Sequence, residues 1–327
     1  MKKLFSILFV VIAIAACNDK KNEKKGKSLP ASGGTLNKLT IVTTNNLWNG
    51  SVGDTTRDIF AGVVYGLPQE EPRFDLTQML PKAFHEFVKK TRTFVEIKEG
   101  EEKGVKYVTD VYASPQTGII ITGKNKEEIV AVLKENATEM LAKLKQTELD
   151  YKVAQMNKNP FDKGNVINDA FGIDLSVLFS YRVAKNKDNF MWLRKDIKNG
   201  DMNLMIYELP KNYIKNDSLA ITNIVKMRDS IGKAHIPGPI DGSYMITEKA
   251  FTPIMQPTTV AGMSALETRG TWDVKNDFMA GPYVNYIIND DKNNRQLVIE
   301  GFTYAPQINK RDFMFELEAM VRSLKLN

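Results

Sequence analysis

One cysteine, Cys17, stands in the whole chain of 327 residues, so no disulfide within the chain can brace the fold and a buried core must hold it. The chain is long enough for that. With 43% hydrophobic and 26% charged residues it carries apolar surface for a core and length for two domains. A net charge of +6 would favour an acidic partner if it were spread over the body. It is concentrated at the start instead. Lys2 and Lys3 open the chain, and residues 18–27 hold Lys20, Lys21, Lys24, Lys25 and Lys27 against Asp19 and Glu23. The remainder is close to neutral, which excludes a broadly basic groove and, with it, nucleic acid as the expected partner.

Residues 4–16 are apolar except for Ser6. At about 1.5 Å per residue such a helix falls short of the roughly 30 Å hydrocarbon core, so residues 1–16 read as a signal peptide rather than a permanent span. The ending Ile14-Ala15-Ala16-Cys17 resembles a bacterial lipobox, with Ile14 where Leu is preferred. The plain alternative is a cysteine that merely ends an apolar run; its position at the small-residue boundary argues against that. The resemblance implies that Cys17 is lipidated, with palmitate-type acyl chains, and becomes the mature amino terminus. Two or three acyl chains anchor stably where one does not, so the expected partner is a membrane reached through Cys17. Residues 17–36, rich in Lys, Gly and Ser, are expected to be the lipidated Cys and a flexible tether. A solvated spacer accounts for the five lysines, and attraction to anionic headgroups is the second reading.

The body reads as α+β, in two lobes, each a mainly antiparallel sheet with amphipathic helices packed on one face. An N-terminal domain is expected over 37–157, a linker over 158–172 and a C-terminal domain over 173–327. In the first, residues 39–44, 93–98, 106–112 and 118–122 have strand composition, and a helix is expected from Asp54 to Gly66. Asn125 and Glu128 form a capping box before a helix predicted over 126–150. In the second, strands are expected near 175–183, 190–194, 203–208, 243–252, 257–269, 280–289 and 295–304. One helix is expected after Asp217, bearing Ile221, Ile224, Val225 and Ile231, and a last helix carries Phe313, Leu317, Met320, Val321 and Leu324.

The common catalytic and metal-binding motifs are each incomplete in this chain. A lipidated Cys17 leaves no thiol nucleophile, and His85 and His235 are the only histidines for a triad or a zinc centre. Gly118 to Asn125 fits a phosphate loop until Asn125 replaces the magnesium-holding hydroxyl, and Asn289 to Glu300 mimics a calcium loop with Asn294 in place of the glycine. Both read as strand or hairpin. What remains is a group of Arg, acid and Trp residues: Trp192, Arg228, Asp229, Glu267, Arg269 and Trp272, with Trp48 beside them in composition. Such residues bind anionic or glycan ligands by bidentate hydrogen bonds and stacking, and equally form interior ion pairs. No cofactor and no metal site is expected.

Several segments together carry a resemblance: Asn46-Leu-Trp48, Gly66-Leu-Pro-Gln-Glu-Glu-Pro72, Gly242-Ser-Tyr-Met245, Arg269-Gly-Thr-Trp272, Phe278-Met-Ala-Gly-Pro282 and Glu300-Gly-Phe-Thr-Tyr-Ala-Pro306. They are similar to an uncharacterised family of envelope lipoproteins of Bacteroidetes-type bacteria, a domain of unknown function. The resemblance implies no activity. Surface-displayed lipoproteins of such bacteria carry acidic clusters after the cysteine, whereas Asn18-Asp19-Lys20-Lys21 is mixed, so a periplasm-facing outer-membrane lipoprotein is expected, with the cell surface as the other option. The expected role is non-enzymatic binding or envelope assembly with a protein or glycan partner; the alternative is an envelope hydrolase acting on glycan or peptide through paired carboxylates, with Glu267 and Asp229 as acid and base.

Overall fold

The computed structural model describes residues 29–161 and 164–326; the leader, Cys17 and the lysine-rich run after it lie outside the described residues. The first lobe runs β1 (Lys38–Val42), α1 (Asn45–Trp48), α2 (Ser51–Phe60), β2 (Asp75–Met79), β3 (Thr93–Glu99), β4 (Gly104–Thr109), β5 (Thr117–Gly123), α3 (Lys126–Glu135) and α4 (Ala137–Lys158). Its five strands lie in the order β2-β1-β3-β5-β4. β1 is parallel to β2 and β3, and β3 is parallel to β5; only β4 runs antiparallel, along β5. This sheet, expected to be mainly antiparallel, is therefore mainly parallel. The closely spaced strands after Thr93 look like hairpins in sequence. Yet buried β3 takes the equally buried β5 as its neighbour and leaves β4 on the edge.

Helices cover one face of this sheet. Leu39, Ile41, Val95, Ile97, Ile119 and Ile121 meet Val52, Phe60, Ile129, Leu133, Met140 and Leu144 there. On the other face, the segment from Leu80 to Thr91 lays Phe84 against Phe94, ring centres 5.1 Å apart. The N-cap half of the box holds, with Asn125 Oδ1 accepting from Glu128 N at 2.9 Å; Glu128 Oε2 accepts from Lys124 N, one residue before the cap, at 2.9 Å. The helix expected over 126–150 breaks at Asn136, whose side-chain amide donates to Val132 O at 2.8 Å and competes with the backbone ladder. α4 then continues to Lys158.

The second lobe runs α5 (Val166–Phe171), β6 (Ile173–Asp174), β7 (Arg182–Lys187), β8 (Phe190–Ile197), β9 (Gly200–Pro210), α6 (Ala220–His235), β10 (Met245–Thr247), β11 (Ile254–Val260), β12 (Met263–Val274), β13 (Ala280–Asp290), β14 (Arg295–Tyr304), α7 (Arg311–Arg322) and β15 (Lys325–Leu326). Eight strands form an antiparallel sheet in the order β10-β12-β13-β14-β9-β8-β7, with β11 also on β12. The α+β class holds for the molecule.

Helices were expected on one face of each sheet; here they cover both. β9, β13 and β14 are buried almost end to end, so residues of both parities need apolar cover. Leu204, Ile206, Tyr286, Leu297 and Ile299 meet Leu317, Met320 and Val321 of α7, while Tyr207, Tyr283, Val298 and Phe302 meet Ile224 and Met227 of α6. α4 joins the two cores, with Met140 and Leu144 in the first and Leu149 and Met156 in the second.

Candidate functional site

The six residues singled out in the sequence divide between opposite faces of the eight-stranded sheet. On the α6 face, Arg228 is 2% exposed, and its Nε and Nη2 donate to the two carboxylate oxygens of Glu300 at 2.8 and 2.7 Å. Nη1 donates to Thr247 Oγ1, the guanidinium lies 3.3 Å from the centre of the Tyr283 ring, and Asn285 Nδ2 donates to Glu300 at 2.8 Å. Burial opposes the charged guanidinium, and the Glu300 carboxylate overcomes it, so Arg228 is held above its ordinary value. Asp229 does not pair with Arg228; it accepts from Thr247 N at 2.7 Å. Trp272 is buried, donates to Thr303 O at 3.2 Å and stands edge-on to Phe302. Trp192 donates to Asn203 Oδ1 at 2.8 Å. This group is the interior ion pair of a helix-on-sheet core.

Glu267 and Arg269 face α7. Arg269 Nε donates to Glu267 at 2.6 Å and Nη2 to Glu318 of α7 at 2.7 Å. The other oxygen of Glu318 lies 2.6 Å from Lys145 Nζ of α4, and that of Glu267 accepts from Arg322 at 3.1 Å. Lys145, Glu318, Arg269, Glu267 and Arg322 thus alternate in sign along one row that crosses from one lobe to the other. Burial alone would raise both carboxyls. The neighbouring Arg269 guanidinium reverses this, holding Glu267 below the usual carboxylate range and Glu318, which also meets Lys145, down to about 2.

More contacts join the lobes around this row. Glu71 receives the amides of Lys310 and Arg311 at 2.7 and 2.9 Å, capping α7 with a carboxylate from the first lobe. Arg311 Nη2 donates to Asp75 at 2.8 Å, and Lys152 meets Glu316 at 2.6 Å.

Beside the row lies a cavity of about 370 Å³, lined by both lobes and within the size range of small-molecule sites. Its walls are apolar: Val64 and Phe74 from the loop after α2, Leu141 from α4, Ile254 from β11, and Met314 and Phe315 from α7. Lys145, Glu318, Arg269 and Glu267 line it together with Arg73. Val63, Tyr65 and Ile254 are exposed lining residues, by 39%, 62% and 49%. Gly66 lets the loop come this close: its φ is +83°, and a Cβ there would stand 2.7 Å from Arg269 Cβ. Arg73 differs from its neighbours. Its Nη1 donates to Ile59 O at 3.2 Å, and among the described residues it meets no carboxylate.

Sequence reasoning named Glu267 and Arg269 and missed Arg73, Lys145 and Glu318. One signal was available: Glu316 and Glu318 sit inside the fully buried run from Met314 to Val321, and acids within an otherwise apolar helix imply buried cationic partners.

Two family models match the chain: a domain of unknown function (DUF8532) over residues 32–157 and a second (DUF4837) over residues 161–323. The expected likeness to an uncharacterised family holds at that level. No match is found among curated proteins. Among solved structures, the Ran-binding protein Mog1p of Saccharomyces cerevisiae is 11% identical, with a TM-score of 0.33 over 47% of this chain and 90% of that one. LpqN of Mycobacterium tuberculosis, described as involved in cell envelope biogenesis, is 12% identical, with a TM-score of 0.27 over 47% and 82%.

Proposed function

We propose that this chain, assembled from two domains of unknown function, is an envelope lipoprotein held through Cys17, whose lobe junction binds a small ligand with an apolar body and one acidic group. The leader and its lipobox-like ending support the anchor. The mixed residues Asn18 to Lys21 support a periplasm-facing place on the outer membrane. No described helix is long and apolar enough to cross a bilayer.

The observation that carries the binding reading is the cavity itself. Its apolar walls favour a hydrocarbon body, both of its carboxylates are taken up by cations, and Arg73 is left to receive an anion. The hydrolase chemistry needs one carboxyl kept protonated near neutral pH. Glu267 and Glu318 are instead held ionised, and Asp229 lies on the other side of the sheet from Glu267.

Titration with the fluorescent acid 11-(dansylamino)undecanoic acid tests this. A charge-assisted hydrogen bond contributes about 1.5–3 kcal/mol, so Arg73→Gln is expected to weaken binding roughly tenfold or more. Ala142→Trp, which fills the cavity from α4, is expected to abolish it. Equal affinity in the wild type and both variants would contradict the assignment.

A further inference from the structure

The described chain begins on the first lobe, beside the loop before β5 and the segment before β3. Ser114 N donates to Pro30 O at 2.9 Å, Gly33 N to Lys90 O at 2.8 Å and Arg92 N to Gly33 O at 3.0 Å. The entering residues are therefore flanked by the segment carrying Lys82 to Lys90 and by the loop carrying Val111 to Gln116. These two flanks expose apolar side chains that a water-facing surface does not need: Phe87 is 80% exposed and Val111 43%, with Leu29 at 40% where the chain enters. Phe84, three residues before Phe87, is buried against Phe94, and between them Glu86 takes a left-handed φ of 44°, which turns Phe87 outward.

The charges beside these side chains are mostly positive. Lys89 Nζ stands 4.8 Å from the Tyr112 ring centre and Lys90 Nζ 6.0 Å from that of Phe87, with Lys82 exposed nearby. Against these three the segment from Pro81 to Thr91 has one acid, Glu86. The Asp110 carboxylate is occupied by Ser114 Oγ and Gln116 N. The residues leading to Leu29 carry the same sign, with Lys20, Lys21, Lys24, Lys25 and Lys27 against Asp19 and Glu23.

We propose that this end of the first lobe lies on the bilayer that holds Cys17, with Phe87 entering the headgroup region and Lys82, Lys89 and Lys90 facing anionic lipids. The proposal rests on the lipid-anchor reading. Residues 18–28 span at most about 40 Å when fully extended, so an anchored Cys17 keeps this face within reach of the membrane. An exposed aromatic among lysines is the composition of surfaces that rest in the interface. The second lobe has a still more exposed aromatic, Phe278, and Ile240 at 51%, but the described chain does not enter there.

The test uses the full lipidated chain with His85→Cys carrying an NBD fluorophore; acylation of Cys17 leaves the new thiol as the one labelled. In phosphatidylethanolamine–phosphatidylglycerol vesicles the probe is expected to shift to the blue and to be quenched by headgroup-depth doxyl lipids. Both effects should weaken in phosphatidylcholine vesicles. They should disappear on adding Phe87→Ser, Lys89→Glu and Lys90→Glu, while the protein, with unchanged circular dichroism, still pellets with the vesicles. The same label at Asp277→Cys, beside Phe278, should remain in water. A probe at position 85 that stays in water while the protein pellets would overturn the proposal, as would equal burial of the probes at 85 and 277. Failure of the anchor itself would show separately, as Cys17→Ala sedimenting like the wild type.

Discussion

Arg228 sits in the α6 core as a charge almost without solvent, tolerable because Glu300 grips it with two hydrogen bonds and Thr247 with a third. Removing one partner leaves the other charged and uncompensated. Arg228→Met is expected to cost about 3–5 kcal/mol in urea denaturation, and the double variant Arg228→Met with Glu300→Leu to recover part of that loss; a double variant whose loss is the sum of the two single losses would show the pair to be uncoupled. Residue type was enough to single out Arg228, Glu267, Arg269 and Trp272 in the sequence. Type alone did not show that they form two groups. That division follows from strand parity, since Glu267 and Arg269 share one face of β12 while Trp272 lies on the other. Arg73 and Lys145 were not legible, because each acquires its meaning from distant residues or from a cavity wall; Glu318 was legible only as an acid within an apolar helix, without its partners.

At the scale of elements, α4 and α7 are joined by carboxylates whose titration predicts a direction. Glu267, Glu316 and Glu318 are held below their ordinary values of 4.5 by cations, Glu318 down to about 2. A depressed folded-state value stabilises the protein fully above the unfolded value and loses that stabilisation as pH falls through the folded one. The urea midpoint should therefore fall from about pH 4.5 towards pH 2. Glu318→Gln, less stable at neutral pH, should fall less steeply; a parallel decline in both proteins would assign the acid loss elsewhere. The strands β13 and β14 and the helices α6 and α7 were legible because their apolar spacing repeats over many residues; the single strand expected over 257–269 is instead the hairpin of β11 and β12, turned at Ala261 and Gly262, both at positive φ. The break at Asn136 was not legible, since one side-chain hydrogen bond decides it. Nor was the parallel first sheet, because strand composition does not name the neighbour.

The whole molecule is tied by one helix shared between two cores, by the carboxylate cap of Glu71 on α7 and by the ion-pair row. Leu149→Ala, on the face of α4 that enters the second core, should cost about 2–5 kcal/mol, and far-ultraviolet and near-ultraviolet signals should report one shared transition. Two separate transitions in the wild type would mean that the lobes fold independently. The cavity belongs to this scale too, since its lining runs from Asn37 to Glu318 and neither lobe encloses it alone; no local stretch of sequence describes it.

That cavity is the centre of the functional reading, and methionine-methyl NMR tests it directly. Met314 lines the cavity, whereas Met205 and Met245 lie in the core on the opposite side of the sheet. On titration with dodecanoate, the methyl resonance of Met314 is predicted to shift to saturation while those of Met205 and Met245 stay in place, with the shift strongly reduced in Arg73→Gln. An unmoved Met314, or shifts centred on Met205 and Met245, would contradict a ligand seat between the lobes.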